Sequence, residues 1–387
     1  MRYWKKMLCL LAVMCLLPVS VFAEDAPAEG DPFEDDGGLI VEEVLLDDEE
    51  DFDDALYISD EIYDELSEMD AEIDDTIDRG VLELNKNLPD HVVNILLVGI
   101  DTRSTDLTEG GQHGDVQIIL SINKDNGSVK LTSIMRDLYV TIPGYKNKNR
   151  INVAYQYGQS NQKLNGSGGQ LAMRTINKNF QMNIEYFATI NFYGLASIID
   201  SLGGIDIEMT KEEAAAVNSY LHKNPPAYDN QGADYVRVDL ERIDGVQHLD
   251  GVQAVMYART RKVAGGGNDY ERTERQRKLL ELLLQKVMQN MSVPVLMELI
   301  DSTLPYVTTN MSASDMFTLA VGLLQSGLME RAKNGETLME QFRIPMDGTA
   351  KYSTVNGSSV IEFHSSGLKK NTEALHEFIY GEYIPAK

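Results

Sequence analysis

The sequence predicts an α/β protein: a mixed, partly parallel central sheet with helices on both faces, preceded by an acidic, partly disordered segment. Three observations predict it. Val92 to Ile100 is an apolar run broken only by Asn94 and Gly99, as in a strand buried on both faces. Gln117 to Ile122 and Ser128 to Ile134 flank Lys124-Asp125-Asn126-Gly127, and Asn-Gly between β-like runs signals a hairpin. From Leu171 onward strand-like and helix-like segments alternate, which is the pattern of a layered α/β protein.

The elements follow in order. Arg2, Lys5 and Lys6 precede an apolar run from Met7 to Phe22, and Val21-Phe22-Ala23 leads to Glu24. Charge, apolar stretch and small-residue exit together mark a signal peptide over 1–23, so the protein is expected to be exported. The run is short for a membrane span of about 20 residues; an uncleaved N-terminal membrane anchor is the competing reading. A lipoprotein is excluded because Met14, not a small residue, precedes Cys15. Cys9 and Cys15 are the only cysteines, so the mature chain has no disulfide, thiol nucleophile or cysteine-bound metal.

Residues 24–78 hold 26 Asp and Glu and no Lys or Arg, although the whole chain has a net charge of −27. The acidity is therefore concentrated in one segment, 24–88, ahead of a nearly balanced body over 89–387. Neither part has the basic footprint of a nucleic-acid binder. Residues 24–54 read as disordered. Ile58, Ile62, Leu66, Met69, Ile73 and Ile77 recur at helical steps, giving an amphipathic helix over about 55–78. Its other face repeats like charges at i,i+4, each destabilising a lone helix by a few tenths of a kcal/mol. The stripe then either packs on something or is a solvated spacer.

In the body, the 92–100 strand ends at Asp101. If the two hairpin strands pair around Asn126-Gly127, Asp115 falls opposite Arg136, within one rung. Helices are expected over 171–179, 194–202, 270–290, 313–328 and 375–379. Strands are expected over 187–192, 205–209, 342–345, 352–355 and 360–363, with a loop over 222–234.

Three clusters could carry chemistry. Gly99-Ile100-Asp101-Thr102-Arg103 lies at the exit of the buried strand, where ligands of open α/β sheets gather; a surface ion pair is the bland alternative. Asp115 faces Met135-Arg136-Asp137 across the hairpin; alone, this is a cross-strand salt bridge worth about 0.2–1 kcal/mol. Arg259-Thr260-Arg261-Lys262 precedes Gly265-Gly266-Gly267 and then Asp269 to Gln276. On a helix Arg272, Arg275 and Gln276 share a face, and Arg259 and Arg261 point the same way if their segment is extended. Converging guanidiniums repel one another unless an anion lies among them, and Arg forks match phosphate oxygens. Carboxylates without a His or Cys partner suit a hard cation such as Mg2+; a solvated, charged helix start is the bland alternative.

The order Asn94 to Arg103, Asp115, Ser133 to Val140 with Ile142-Pro143-Gly144, Arg150 to Tyr155, Leu249 to Ala254 with Tyr257 to Arg261, and Asp269 to Gln276 resembles the LytR-CpsA-Psr family across about 90–387. The resemblance implies an extracytoplasmic cell-envelope phosphotransferase. Such an enzyme moves a glycopolymer from a polyprenyl-pyrophosphate carrier at the membrane surface to peptidoglycan. It implies that Asp101 and Asp115 hold Mg2+. Arg103, Arg136, Arg259, Arg261, Arg272 and Arg275 would surround the pyrophosphate with Gln276. Arg136, Asp137, Arg259, Arg261, Asp269 and Arg272 are the catalytic candidates. The polyprenyl tail would lie in an apolar tunnel between sheet and helices. Where the family usually has Arg-Ser-Asp-Thr, this chain has His113-Gly114-Asp115-Val116, so one phosphate-contacting Arg is replaced. The competing functions are a non-catalytic envelope protein that binds lipid-linked glycopolymer and a lipid pyrophosphatase.

Overall fold

The computed structural model describes residues 77–100, 112–162, 166–223, 237–260, 307–312 and 339–386, with single positions within 275–286 and 315–331. The signal peptide and nearly all of the acidic segment lie outside the described residues.

The centre of the fold is β1 (Val92–Ile100). Leu96 and Leu97 are fully buried, and they belong to different cores. Ile95 and Leu97 face one apolar layer, and Leu96, Val98 and Ile100 face the other. The run is continuously apolar because both faces of the strand are covered.

Antiparallel to β1 lies β2 (Gly114–Asn123), which turns back into β3 (Val129–Ile134). Gly127, at φ +63, closes that turn. The residue numbers of every β2–β3 pair add to 251, the register expected from the Asn-Gly turn. Two short strands, β4 (Tyr139–Val140) and β5 (Asn149–Arg150), pair beyond β3. Helix α1 (Val153–Ser160) follows and packs on α2 (Gly168–Phe180), which is capped by Ser167.

Then comes β6 (Tyr186–Asn191), parallel to β1. Helix α3 (Phe192–Ser201), capped by Asn191, leads to β7 (Ile205–Met209) and α4 (Lys211–Lys223). A second region of the chain supplies β8 (Gly245–Leu249), paired with β7, and α5 (Gly251–Arg259). Asp250 and Gln253 form a capping box at the start of α5. Gly251 is required there: a Cβ would collide with the Ala196 carbonyl of α3. The remaining strands are β9 (Val307–Thr309), β10 (Met339–Ile344), β11 (Ala350–Val355) and β12 (Ser358–Phe363), and α6 (Gly367–Tyr380) follows them.

The six-stranded sheet runs β10-β3-β2-β1-β6-β9, with β10–β3 and β1–β6 parallel. It is mixed and partly parallel, as expected. Helices α3, α4 and α5 cover one face, and α2 and α6 the other. The described positions 275, 278, 279, 282, 283 and 286 are helical, as are 315, 318, 319, 322 and 323, within the two long helices expected from the sequence.

Several expectations need correction. Of the helix expected over about 55–78, residues 55–76 lie outside the described residues; Ile77 is not helical, and Asp78 caps a 3-10 turn at Arg79–Val81. Leu82 and Leu88 are buried, so the packed body begins before residue 89. Residues 222 and 223 belong to α4 rather than to a loop. Helices α1, α4 and α5 were not anticipated, because their apolar residues are mostly Ala, Gly and Tyr, which give weak periodicity.

Buried polar groups tie the last helix to the sheet. The Asn94 amide donates to Asn183 at 2.7 Å and to the Tyr380 hydroxyl at 2.8 Å, and Ser121 donates to its oxygen. His376 lies fully buried on α6. Its Nε2 is 3.0 Å from the Phe180 carbonyl, and the Ile384 amide donates to Nδ1. That arrangement suits neutral imidazole, and burial holds the His376 pKa below its ordinary 6.5. The unfolded chain therefore takes up a proton near 6.5 that the folded protein refuses, and stability is lost as pH falls below that value. The melting temperature is expected to drop between pH 7.5 and 5.5, with a shallower drop in His376→Gln; parallel curves for the two proteins would refute this account.

Candidate functional site

Three strands meet at the carboxyl end of β1. Ile100 pairs with Gly114 of β2 on one side and with Asn191 of β6 on the other, and a register shift sits between Gly99 and Ile100. Asp115 follows Gly114, and Phe192 follows Asn191. At about 4.8 Å between neighbouring strands, the two flanking strands are roughly 10 Å apart.

On the β2 side the expected acid–base pair is present. Arg136 Nη1 lies 3.5 Å from Asp115 Oδ2, and Arg136 Nε lies 3.6 Å from Asp137 Oδ2. The chain of charges continues: Arg150 Nη1 is 3.4 Å from Asp137 Oδ1. Arg136 is half exposed, so these pairs are worth little as stability and chiefly set orientation.

Asn152 braces the cluster from below. Its Nδ2 donates to Asp115 Oδ1 at 3.0 Å, its backbone amide donates to the Arg136 carbonyl, and its own carbonyl accepts from Gly114. It is 4% exposed, and its Oδ1 has no hydrogen-bond partner among the described residues. A buried amide oxygen without a partner normally costs about 1–3 kcal/mol, so it marks a place where a donor or cation fits. The Ile361 amide donates to the Asp137 carbonyl at 2.9 Å, pinning the cluster to β12. His113 stands beside Gly114, and its Nδ1 is buried without a partner among the described residues.

On the β6 side, the Arg259 guanidinium lies over the Phe192 ring, 4.1 Å from its centroid. Arg259 is the last residue of α5. The expectation of an extended segment holding Arg259 and Arg261 on one side is corrected: the backbone becomes extended only at Thr260. Arg275 is 5% exposed; its Nη2 donates to the Thr260 carbonyl at 2.6 Å, and its Nη1 is 3.5 Å from Glu213 Oε1. Arg275 thus fixes the residue that follows Arg259.

The structure brings Asp115, Arg136 and Asp137 together and sets Arg259 and Arg275 on the far side of β1. Asp101, Arg103, Arg261, Asp269, Arg272 and Gln276 lie outside the described residues. Arg150 and Asn152 were missed as site residues. They stood in the quoted Arg150 to Tyr155 motif, but no spacing rule joined them to a hairpin that ends before them. Glu213 and Phe192 carried no sequence signal.

The class is then an α/β protein with a mixed sheet and a site of interleaved arginines and carboxylates at the end of its central strand. A model of the LytR_cpsA_psr family matches residues 56–377, and the chain belongs to that family. The match reaches into the acidic segment, further than the motifs did. The chain is 30% identical over 243 residues, 63% of its length and 68% of the relative's, to the polyisoprenyl-teichoic acid–peptidoglycan teichoic acid transferase TagU of Enterococcus faecalis. Its fold matches that of B. subtilis TagV at a TM-score of 0.51, with 24% identity over 77% of this chain and 100% of TagV. It also matches the LytR-CPS2A-psr family protein YwtF (TagT), solved with bound octaprenyl pyrophosphate lipid. There the TM-score is 0.51 and the identity 18%, over 79% of this chain and 98% of the other.

The two arginines beyond β6 should separate in a stability measurement. Arg275→Met strands the Thr260 carbonyl and the partly exposed Glu213, and should cost about 2–4 kcal/mol. Arg259→Ala loses a partly exposed cation–π contact worth about 0.5–1 kcal/mol. Urea unfolding of both variants checks this; equal costs would contradict the structural role given to Arg275.

Proposed function

We propose that this protein is an extracytoplasmic phosphotransferase that moves a glycopolymer from a polyprenyl-pyrophosphate carrier to peptidoglycan. The observation that carries the reading is the meeting at Ile100. Asp115 with Arg136 on one side and Phe192 with Arg259 on the other flank the strand end from which Asp101 follows. Family membership supports it, as does the name of the E. faecalis relative, a polyisoprenyl-teichoic acid–peptidoglycan teichoic acid transferase. A family fold solved with octaprenyl pyrophosphate supports the carrier class. An exported or membrane-anchored protein at the cell envelope fits the same reading. Among the described residues no helix is long and apolar enough to cross a membrane.

In this reading the acceptor hydroxyl attacks the phosphorus on the sugar side. A new P–O bond forms, the pyrophosphate bridge breaks, polyprenyl phosphate leaves, and the hydroxyl proton passes to the leaving phosphate or to solvent. Arg136, held at a fixed angle between Asp115 and Asp137, would meet the charge that develops on the phosphoryl oxygens. Arg259, stiffened against Phe192, would approach from the other side, with Arg103, Arg261, Arg272 and Gln276 completing the anion's surroundings. Arg275 contributes by positioning Thr260.

Mg2+ fits the donors that are present. Asp115 is a half-buried carboxylate whose neighbour Asn152 carries an unpartnered amide oxygen, and both are hard oxygen ligands. Mg2+ is commonly held by one or two carboxylates plus substrate phosphates. Asp101 and Asp115 would hold the ion, which would neutralise charge on the leaving phosphate.

The test is incubation of the purified protein with a lipid-pyrophosphate-linked sugar, Mg2+ and peptidoglycan, tracking the sugar. Transfer to the wall is expected, with Arg136→Ala about 100-fold or more slower and Asp115→Asn demanding more Mg2+. Sugar phosphate released to water whether or not peptidoglycan is present would make the protein a pyrophosphatase instead. Transfer that survives chelation would remove the metal.

A further inference from the structure

Arg150 has a second neighbourhood. It also lines a cleft of about 490 Å3. One wall is the turn between β4 and β5 together with α1, and the other is the tip of the β11–β12 hairpin. The volume falls within the roughly 300–1,000 Å3 of small-ligand sites, enough for a short segment rather than a whole polymer.

The cleft is built rather than incidental. Tyr145 and Tyr157 stack with ring centroids 4.4 Å apart and planes 25° from parallel. Both rings pack on a separate small core of Ile142, Val153, Ala154 and Leu171. The Asn149 side-chain amide donates to the Tyr157 hydroxyl at 2.9 Å, fixing that ring. Opposite, Asn356 and Gly357 take consecutive left-handed conformations, φ +51 and +79, which locks the hairpin tip.

Its chemistry is selective. Lys146, Lys148 and Arg150 line it, and no Asp or Glu does, in a chain of net charge −27. Lys146 and Lys148 are exposed and make no ion pair among the described residues. Aromatic faces take the apolar C–H faces of a sugar, amides take hydroxyls, and cations take acidic substituents. A neutral apolar ligand would waste the lysines, and a free inorganic anion would waste the tyrosines.

We propose that this cleft is a subsite for an anionic glycan, a sugar chain carrying phosphate or carboxylate groups. Its end would be presented to Arg150 and, through Asp137, to Arg136. The choice of a glycan rests on the transferase reading above. Two sources share the chemistry: the phosphate-bearing polymer on the donor, and the acceptor glycan, whose acidity is that of its peptide carboxylates.

Calorimetric titration of the purified protein with two probes separates them: a poly(glycerol phosphate) oligomer and a soluble muropeptide-bearing glycan released from peptidoglycan. At least one should bind, more weakly as salt rises. Lys146→Gln with Lys148→Gln should weaken that binding about tenfold or more, and Asn356→Asp, on the opposite wall, should weaken it independently. Whichever probe binds names the source. If neither binds, or if all variants bind as the parent does, the subsite is wrong. In the transfer assay the same variants should raise KM for the recognised glycan more than they lower kcat. Lysine-dependent glycan binding without any transfer would remove the transferase reading and keep the subsite. Transfer with KM indifferent to all three substitutions would remove the subsite and keep the transferase.

Discussion

The burial of β1 on both faces is the constraint on which the rest depends. A strand with covered faces cannot carry function along its length, because any polar side chain there must be satisfied inside. Asn94 shows what that requires: three hydrogen bonds, to Asn183, Tyr380 and Ser121, hold one amide in place. Chemistry is left to the strand end. There β1 is paired in parallel with β6 on one side and antiparallel with β2 on the other. That mixed pairing lets the start of β2 and the end of β6 arrive together, so residues 75 or more positions apart in the chain share one locus.

Charge at this locus is handled in two ways. Beside β2, arginines and carboxylates alternate, Asp115, Arg136, Asp137 and Arg150, so each guanidinium is held by an acid that keeps it extended toward one side. Beside β6, Arg259 is held by an aromatic ring and Arg275 by a carbonyl and a carboxylate.

The central strand, the hairpin register and the strand–helix alternation were legible in the sequence because they follow from local rules: apolar runs, the Asn-Gly turn and the alternation of strand-like and helix-like segments. The register alone brought Asp115 to Arg136. Residues placed by tertiary contact were not legible. Asn152 joins the site because β4 and β5 fold Arg150 back beneath Arg136, and two-residue strands carry no periodic signal. Arg259 lies on a helix rather than an extended segment because Asp250 and Gln253 start α5 and Gly251 lets it approach α3. Charge spacing by itself could not tell a helix from an extended arm there.

Where the chain enters and leaves the packed body bears on how the protein takes mechanical tension. The Asn85 side chain donates to the carbonyls of Gln181 and Ile384, and Asn87 donates to Pro385. The two ends of the body are thus clipped together at one place. A pull delivered through the N-terminal segment would load Asp78 on Gln170, Arg79 beside Glu185 and Glu83 on Arg174 and Lys178, and then this clip. The β1–β6 and β1–β2 ladders, whose bonds would have to break in concert, lie behind them. Side-chain contacts that break singly would yield before ladders that must break together, so the geometry around Ile100 would be the last to feel the load.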